Sequence, residues 1–242
     1  MHIAANGSCL AIIDPPASGA WNMAIDAALL EAAVNEGVCA VRWYQWVEPT
    51  LSLGHFQDQS AQTLAGLPIV RRLSGGGAIV HDQELTYSCV IPAGHPLSHA
   101  PQELYSVIHQ NIAEILQSYG FPVTARGKTL AARSNEFLCF GRGDAFDLVV
   151  NETKVLGSAQ RRRKGAVLQH GSLILTASPS APQFPGLLDL CPTHLTRPSV
   201  DWLLELGSAV ARALAVKVEF GSLPESVRRR AAELAPSIFH LT

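Results

Sequence analysis

Between Pro68 and Pro92 the chain reads PIVRRLSGGGAIVHDQELTYSCVIP, where β-branched and aromatic residues recur in short runs with three consecutive glycines among them. Such runs predict two or three strands in succession with no helix between them. The segment argues against a repeating βαβ chain. It points to an α+β fold with a mixed or antiparallel sheet flanked by helices. Gly75, Gly76 and Gly77 stand between Arg71–Arg72 and His81–Asp82. They mark either a strand bulge or a place where backbone must approach another group closely.

The flanking segments supply the helices. SGAWNMAIDAALLEAAVNEG sets Ile25, Ala28, Leu29, Ala32 and Ala33 on one helical stripe, with Gly37 as its stop. PQELYSVIHQNIAEILQSYG repeats Leu104, Ile108, Ile112, Ile115 and Leu116 at helical spacing between Pro101 and Gly120. Strands are expected at Cys9 to Ile13, in VCAVRWYQW and in TLSLGHF. AFDLVVNETKVLGSAQ should form strands turning at Asn151 to Thr153, linked by QRRRKG to the strand AVLQHGSLIL. An irregular proline-rich stretch then leads to a helix near Ser199 to Leu214, a strand VKVEF and a last helix begun by the capping box SLPE.

At 242 residues and 48% hydrophobic, the chain can bury one large core. Residues 1–242 are expected to form a single catalytic-type domain, with 176–242 a short carboxy-terminal helical extension packed on it. A formal charge of −2 argues against a nucleic-acid partner. The five cysteines are scattered without CxxC spacing, which favours neither a disulfide framework nor a metal site and fits reduced thiols in a cytoplasm. The amino terminus has no signal-like pattern and no apolar run is long enough to cross a bilayer, so no membrane partner is expected.

Several local patterns compete for attention. GGGAIVHD lacks the Lys-Ser/Thr ending of a P-loop and the third glycine of a dinucleotide fingerprint. Cys9, Cys39, Cys89 and Cys191 read as packing thiols, and CPTH around Cys191 lacks the second half of a metal site. His95 and His99, with Pro96 between them, read as a surface loop, and the RGD at Arg142 to Asp144 carries little weight in such a chain. Cys139, in NEFLCFGRGD, is the best nucleophile candidate because a loop thiol can meet substrate. Lys154 is either a solvated strand lysine or one turned into a pocket. A free thiol with a pKa near 8.5 is only ~3% ionised at neutral pH, so a cation beside Cys139 would raise its reactivity.

Taken in order, WNMAIDAALLEA, RWYQWVEPTLSLGHFQ, RRLSGGGAIVHDQELTYS, the Cys139-Phe140 pair and TKVLGSAQRRRKGAVLQHGSLIL resemble the lipoate and biotin protein ligase superfamily. Within it, the chain is most similar to the cysteine-dependent octanoyltransferases of lipoate biosynthesis. The resemblance runs from about Asp14 to Leu175. It implies a catalytic domain like that of class II aminoacyl-tRNA synthetases and biotin ligases, with a tunnel for an eight-carbon acyl chain.

By the same resemblance, Cys139 accepts the acyl group and Lys154, fifteen residues on, lowers its pKa. Arg72, Gly75, Gly76, Gly77, His81, Gly157, Ser158, Ala159, His170 and Gly171 would line the substrate site, the three glycines forming a tunnel wall. Burying about seven methylene-sized groups at ~0.8 kcal/mol each gives up to ~6 kcal/mol of reason for a close-fitting wall. The implied donor is octanoyl-acyl carrier protein and the implied acceptor a lipoyl-domain protein such as glycine-cleavage H protein, with neither cofactor nor metal. The basic run Arg161 to Lys164 would steer these acidic partners, or simply be a solvated turn. GRGD after Phe140 departs toward the adenylating lipoate ligases. An ATP-dependent ligase, an octanoyl transferase between lipoyl domains and a non-catalytic acyl-binding module therefore remain open.

Overall fold

The computed structural model describes residues 5–57, 66–127, 138–141, 143–192 and 200–238. The RGD motif, through its Arg142, and the CPTH motif, through Thr193 and His194, reach outside them. In chain order the strands are β1 (Ala5–Ile13), β2 (Ala40–Tyr44), β3 (Thr50–Leu53), β4 (Ile69–Arg71), β5 (Ile79–His81), β6 (Glu84–Ile91), β7 (Thr124–Ala125), β8 (Leu148–Val150), β9 (Thr153–Arg163), β10 (Ala166–Ile174) and β11 (Ala215–Phe220). The helices are α1 (Gly19–Asn35), α2 (Pro101–Ser118), α3 (Leu187–Leu190), α4 (Val200–Leu214) and α5 (Glu225–Ile238).

Eight strands make one mixed sheet in the order β11-β1-β2-β6-β10-β9-β8-β7, and β4-β3-β5 make a second. The first three strands of the large sheet run parallel, and each pair from β2 to β7 is antiparallel. This is the expected α+β class. The glycine segment does not lie within one continuous strand: it connects β4 to β5, the two partners of β3 in the small sheet.

Two apolar layers cover the large sheet. One joins Trp43, Tyr87, Leu156 and Leu173 to Leu104, Ile108 and Ile112 of α2 and to Trp202, Leu206 and Val210 of α4. The other joins Ile12, Val90 and Leu168 to Ile25, Ala28 and Leu29 of α1 and to Val227 and Ala231 of α5. Helix α1 is buried on more than its predicted stripe, because Asn22 and Asp26 also face inward. Ser18 caps it by accepting from Trp21 N.

The structure departs from expectation at two places. QRRR belongs to β9, and the link to β10 shrinks to Lys164 and Gly165, both with positive φ (48° and 83°), the geometry of a two-residue hairpin. His95 is buried, not a surface loop residue: it caps the 3-10 turn Pro96–His99 and pairs its Nε2 with Leu214 O at 2.7 Å. The strand expected at VKVEF forms as β11 and extends the large sheet beside β1, so the stretch 176–242 contributes a strand as well as helices. No helix among the described residues is long and apolar enough to cross a membrane.

Candidate active site

The site grows from the most regular part of the sheet. Antiparallel register places Gly157 of β9 opposite Ser172 of β10 and Ala159 opposite His170, with Thr86 and Ser88 of β6 on the other side. Tyr44 of β2 extends this floor beside Thr86, and Met23 of α1, Ile79 of β5 and the Cys139–Phe140 turn complete the walls. Together they bound a cleft with about 420 Å³ of space between atoms, its mouth included. Arg72, His81, Cys139, Lys154, Gly157, Ser158, Ala159, His170 and Gly171 all line it. Residues up to 99 apart in the chain thus meet where the β9–β10 register, the small sheet and the Cys139 turn come together.

Cys139 opens a short 3-10 turn, Cys139–Gly141, tied down because its amide donates to Ala78 O at 2.7 Å. The thiol is half-buried. Lys154 is turned into the protein, only 8% exposed. Its Nζ lies 2.9 Å from Asp147 Oδ1 and 5.2 Å above the Phe140 ring, which follows Cys139 directly. β9 lies between β10 and β8, so Lys154 is not the solvated edge residue its strand setting allowed. Burial pushes the Asp147 carboxyl above its ordinary range, against the pull of Lys154. Cys139 and Lys154 also share a second cleft with Tyr105, His109, Asp147 and Ser158, so the thiol stands where two clefts meet.

The glycine segment wraps a buried guanidinium. Arg72 donates through Nη1 to Ser52 O and Oγ (3.0 and 3.1 Å) and through Nη2 to the carbonyls of Gly75 and Gly77 (2.8 and 2.6 Å). Gly76, with φ +96°, has no room on that side: a Cβ there would lie 3.0 Å from Arg72 Nη2 and 3.8 Å from Cys139 Sγ. Gly75 and Gly77 therefore hold Arg72 through their carbonyls, Gly76 alone stands beside the thiol, and none of the three is among the residues lining the first cleft. Arg71 does different work, donating to Gly54 O and Gln57 O at 2.9 and 2.8 Å and so holding the neighbouring loop.

Two histidines anchor the rest of the wall. His81 stacks on Trp46 (centroids 3.9 Å apart, planes 9° apart) and pairs with Glu84 Oε1 at 2.6 Å and Ser52 Oγ at 2.7 Å. His170 bonds Ser74 Oγ through Nε2 and Asp26 Oδ2 through Nδ1 at 3.2 Å. Burial holds the His170 imidazole below its ordinary pKa, opposed by Asp26. Burial would raise Asp26, but His170 and then Arg42 more than offset it and leave the carboxyl lowered. Arg42, fully buried, pairs with Asp26 at 3.4 Å and Asp14 at 2.8 Å, and donates to Asn22 Oδ1 at 2.8 Å. The Asn and Asp of WNMAID thus hold the sheet's buried arginine and, through Asp26, aim His170 into the cleft.

The sequence points to nine of the fifteen cleft residues but not to Met23, Tyr44, Ile79, Thr86, Phe140 and Ser172, nor to Asp26, Glu84, His109 and Asp147, which fix the site residues in place. His109 carried a faint signal, since it follows Ile108 and precedes Ala113 by one helical turn on the buried side of α2. Among the described residues no cluster of three or more His, Cys, Asp or Glu is placed to hold a metal ion.

The lipoyl protein ligase A/B catalytic domain model matches residues 18–188. Octanoyltransferase LipM of Anoxybacillus flavithermus is 42% identical over 173 residues, 65% of this chain and 62% of that protein, so the match spans less than two thirds of the relative. Octanoyltransferase LipM of Kyrpidia tusciae is 32% identical across 90% of this chain and 91% of that protein. The putative lipoate protein ligase Ta0514 of T. acidophilum, solved with bound lipoic acid, superposes with a TM-score of 0.70 at 20% identity over 96% of each chain, a likeness of fold. The family model covers the two clefts with the sheet beneath them, and the second relative aligns nearly end to end: the chain belongs to the lipoyl protein ligase A/B catalytic domain family.

Proposed function

We propose that this chain is an octanoyltransferase that moves an octanoyl group from octanoyl-acyl carrier protein to a lysine of a lipoyl domain, such as that of glycine-cleavage H protein, through a thioester on Cys139. The observation that carries the proposal is a half-buried thiol and a buried, ion-paired lysine sharing one cleft, in a chain whose relatives bear the name octanoyltransferase. Cys139 thiolate attacks the donor carbonyl, the carbon–sulfur bond to the carrier breaks, and the carrier's thiolate takes up a proton. The acceptor amine then attacks the acyl-enzyme, forming an amide and releasing the Cys139 thiolate. Lys154 favours the thiolate at both ends of the cycle. The Cys139 amide is already engaged with Ala78 O, so the developing oxyanion draws on other donors.

The remaining roles follow position. Met23, Ile79 and Phe140 give the acyl chain apolar walls, while Arg72, His81 and His170 hold those walls in shape. Gly76 borders the reacting sulfur. Arg162 and Lys164 are exposed at the β9–β10 hairpin, where they attract acidic carrier and acceptor domains. Residues 1–242 act as one catalytic domain, the 176–242 extension bracing it through β11 and the α4 core.

The test is transfer to a purified lipoyl domain, followed by mass spectrometry of the acceptor, with octanoyl-acyl carrier protein and no nucleotide. Octanoylated acceptor with the wild type and none with Cys139→Ala is the expected result. Modification that appears only with free octanoate and ATP would instead establish an adenylating ligase.

A further inference from the structure

Beside the thiol runs a chain of hydrogen bonds in which each proton has one possible place. The Phe146 carbonyl can only accept, so the hydrogen between it and His109 Nδ1 belongs to the ring. Burial pulls the His109 imidazole down to about 4, leaving it neutral at pH 7 with a lone pair on Nε2. Ser158 Oγ, 2.6 Å from that nitrogen, must therefore donate to it. Tyr87 OH, 2.7 Å away, must donate to Ser158, and its own oxygen accepts from Gln169 Nε2 at 2.7 Å. With its proton committed to His109, the Ser158 hydroxyl can offer a visitor only a lone pair.

Ser158 lines both clefts together with Cys139 and Lys154. Its side chain fits there because residue 171 has none: a Cβ at Gly171 would collide with Ser158 Oγ and approach Tyr87 Cε1 to 2.7 Å. Lys154, as an ammonium bonded to Asp147, has three N–H groups and no lone pair with which to take a proton. The donor-only lysine and the acceptor-only serine thus share both clefts with the same thiol and bring opposite capacities to them.

We propose that Ser158, backed by His109, receives an N–H of the incoming primary amine and relays its proton as the amide forms. This rests on the Cys139 acyl-enzyme proposed above. The amine lone pair forms the carbon–nitrogen bond, the carbon–sulfur bond breaks, and its electron pair returns to Cys139 as thiolate. One amine proton passes to Ser158 Oγ as the serine's own proton passes to His109 Nε2. The buried imidazolium then gives its proton back along the same path, to the thiolate or to water. Ser158 would touch the reacting nitrogen, whereas His109 acts through it.

The experiment times the two stages separately in wild type, Ser158→Ala, His109→Gln and the double variant. Acylation of Cys139 by octanoyl-acyl carrier protein is read by intact mass, and transfer from the isolated acyl-enzyme by adding a lipoyl domain. Transfer should fall about a hundredfold further than acylation in each single variant, within the usual range for proton transfer by a side chain. The double variant should be no slower than the slower single one, because the pair acts as a unit. Equal losses at both stages, transfer at the wild-type rate, or losses that multiply in the double variant would overturn the relay. If Ser158→Ala does not fold, the two-stage split of His109→Gln decides alone. A wild type that is never acylated sinks the acyl-enzyme itself and the relay with it, whereas an acylated wild type with unaffected variants sinks only the relay.

Discussion

Lys154 occupies space that Gly157 leaves empty: a Cβ on Gly157 would lie 2.6 Å from Lys154 Nζ and 3.2 Å from Asp147 Oδ1. Gly157→Ala should therefore displace the ammonium while leaving every ionisable residue in place. A rise of one unit in the Cys139 pKa would cut its thiolate at neutral pH about tenfold. Alkylation of Cys139 as a function of pH checks this, and an unchanged profile in the folded variant would disconnect the lysine from the thiol.

Removing the lysine itself separates stability from chemistry. Lys154→Ala leaves Asp147 buried with, among the described residues, Arg126 Nε at 3.7 Å as its remaining ion pair, and breaking a buried pair costs about 3–5 kcal/mol. Lys154→Ala/Asp147→Asn should recover much of that in urea unfolding. Thiol alkylation should stay slow in both variants, because the second change restores charge balance and not the cation. Recovery of reactivity along with stability would show that Lys154 only supports the fold.

Histidine burial sets a pH dependence of stability. His109 is lowered from 6.5 to about 4 in the folded chain, so between those values the unfolded chain binds the extra proton. Its contribution is present at pH 7 and is lost as pH falls through that window, by about 3 kcal/mol at roughly 1.4 kcal/mol per unit. The lowered His170 acts in the same direction. Urea unfolding at pH 7 and pH 4.5 should show this loss, and His109→Gln should flatten it. An equal slope in the variant would assign the loss to other groups.

How much of this was legible beforehand depends on the range of the forces involved. Helices α1 and α2 and the β6, β9 and β10 strands follow from periodicity, which neighbouring residues write into the sequence. Cys139 and Lys154 are legible by motif, and so is the β8–β9 hairpin, but its register shift between Leu148 and Val149, beside the Lys154–Asp147 pair, is not. His95 read as surface because its partner, Leu214 O, lies 119 residues away. Asp26 hid inside an apolar helix pattern, since only the buried Arg42 and His170 explain a carboxylate on the inner face. The glycines announced close approach, while the guanidinium they enclose and the sulfur they face became visible only in three dimensions.

Gly76→Val tests what that glycine faces. The new side chain starts 3.8 Å from Cys139 Sγ and must hold φ +96°, a conformation costing about 1–3 kcal/mol for such a residue. Rates with acetyl and octanoyl thioesters should fall together, because the obstruction lies at the reacting end. A loss confined to the octanoyl donor would place Gly76 along the acyl chain instead.

The most direct measurement is the intact mass of the protein after mixing with octanoyl-acyl carrier protein in the absence of ATP. The account predicts a single octanoyl adduct that hydroxylamine removes and that Cys139→Ser lacks. An unmodified wild type in the presence of intact donor, or equal labelling of Cys139→Ser, would contradict it.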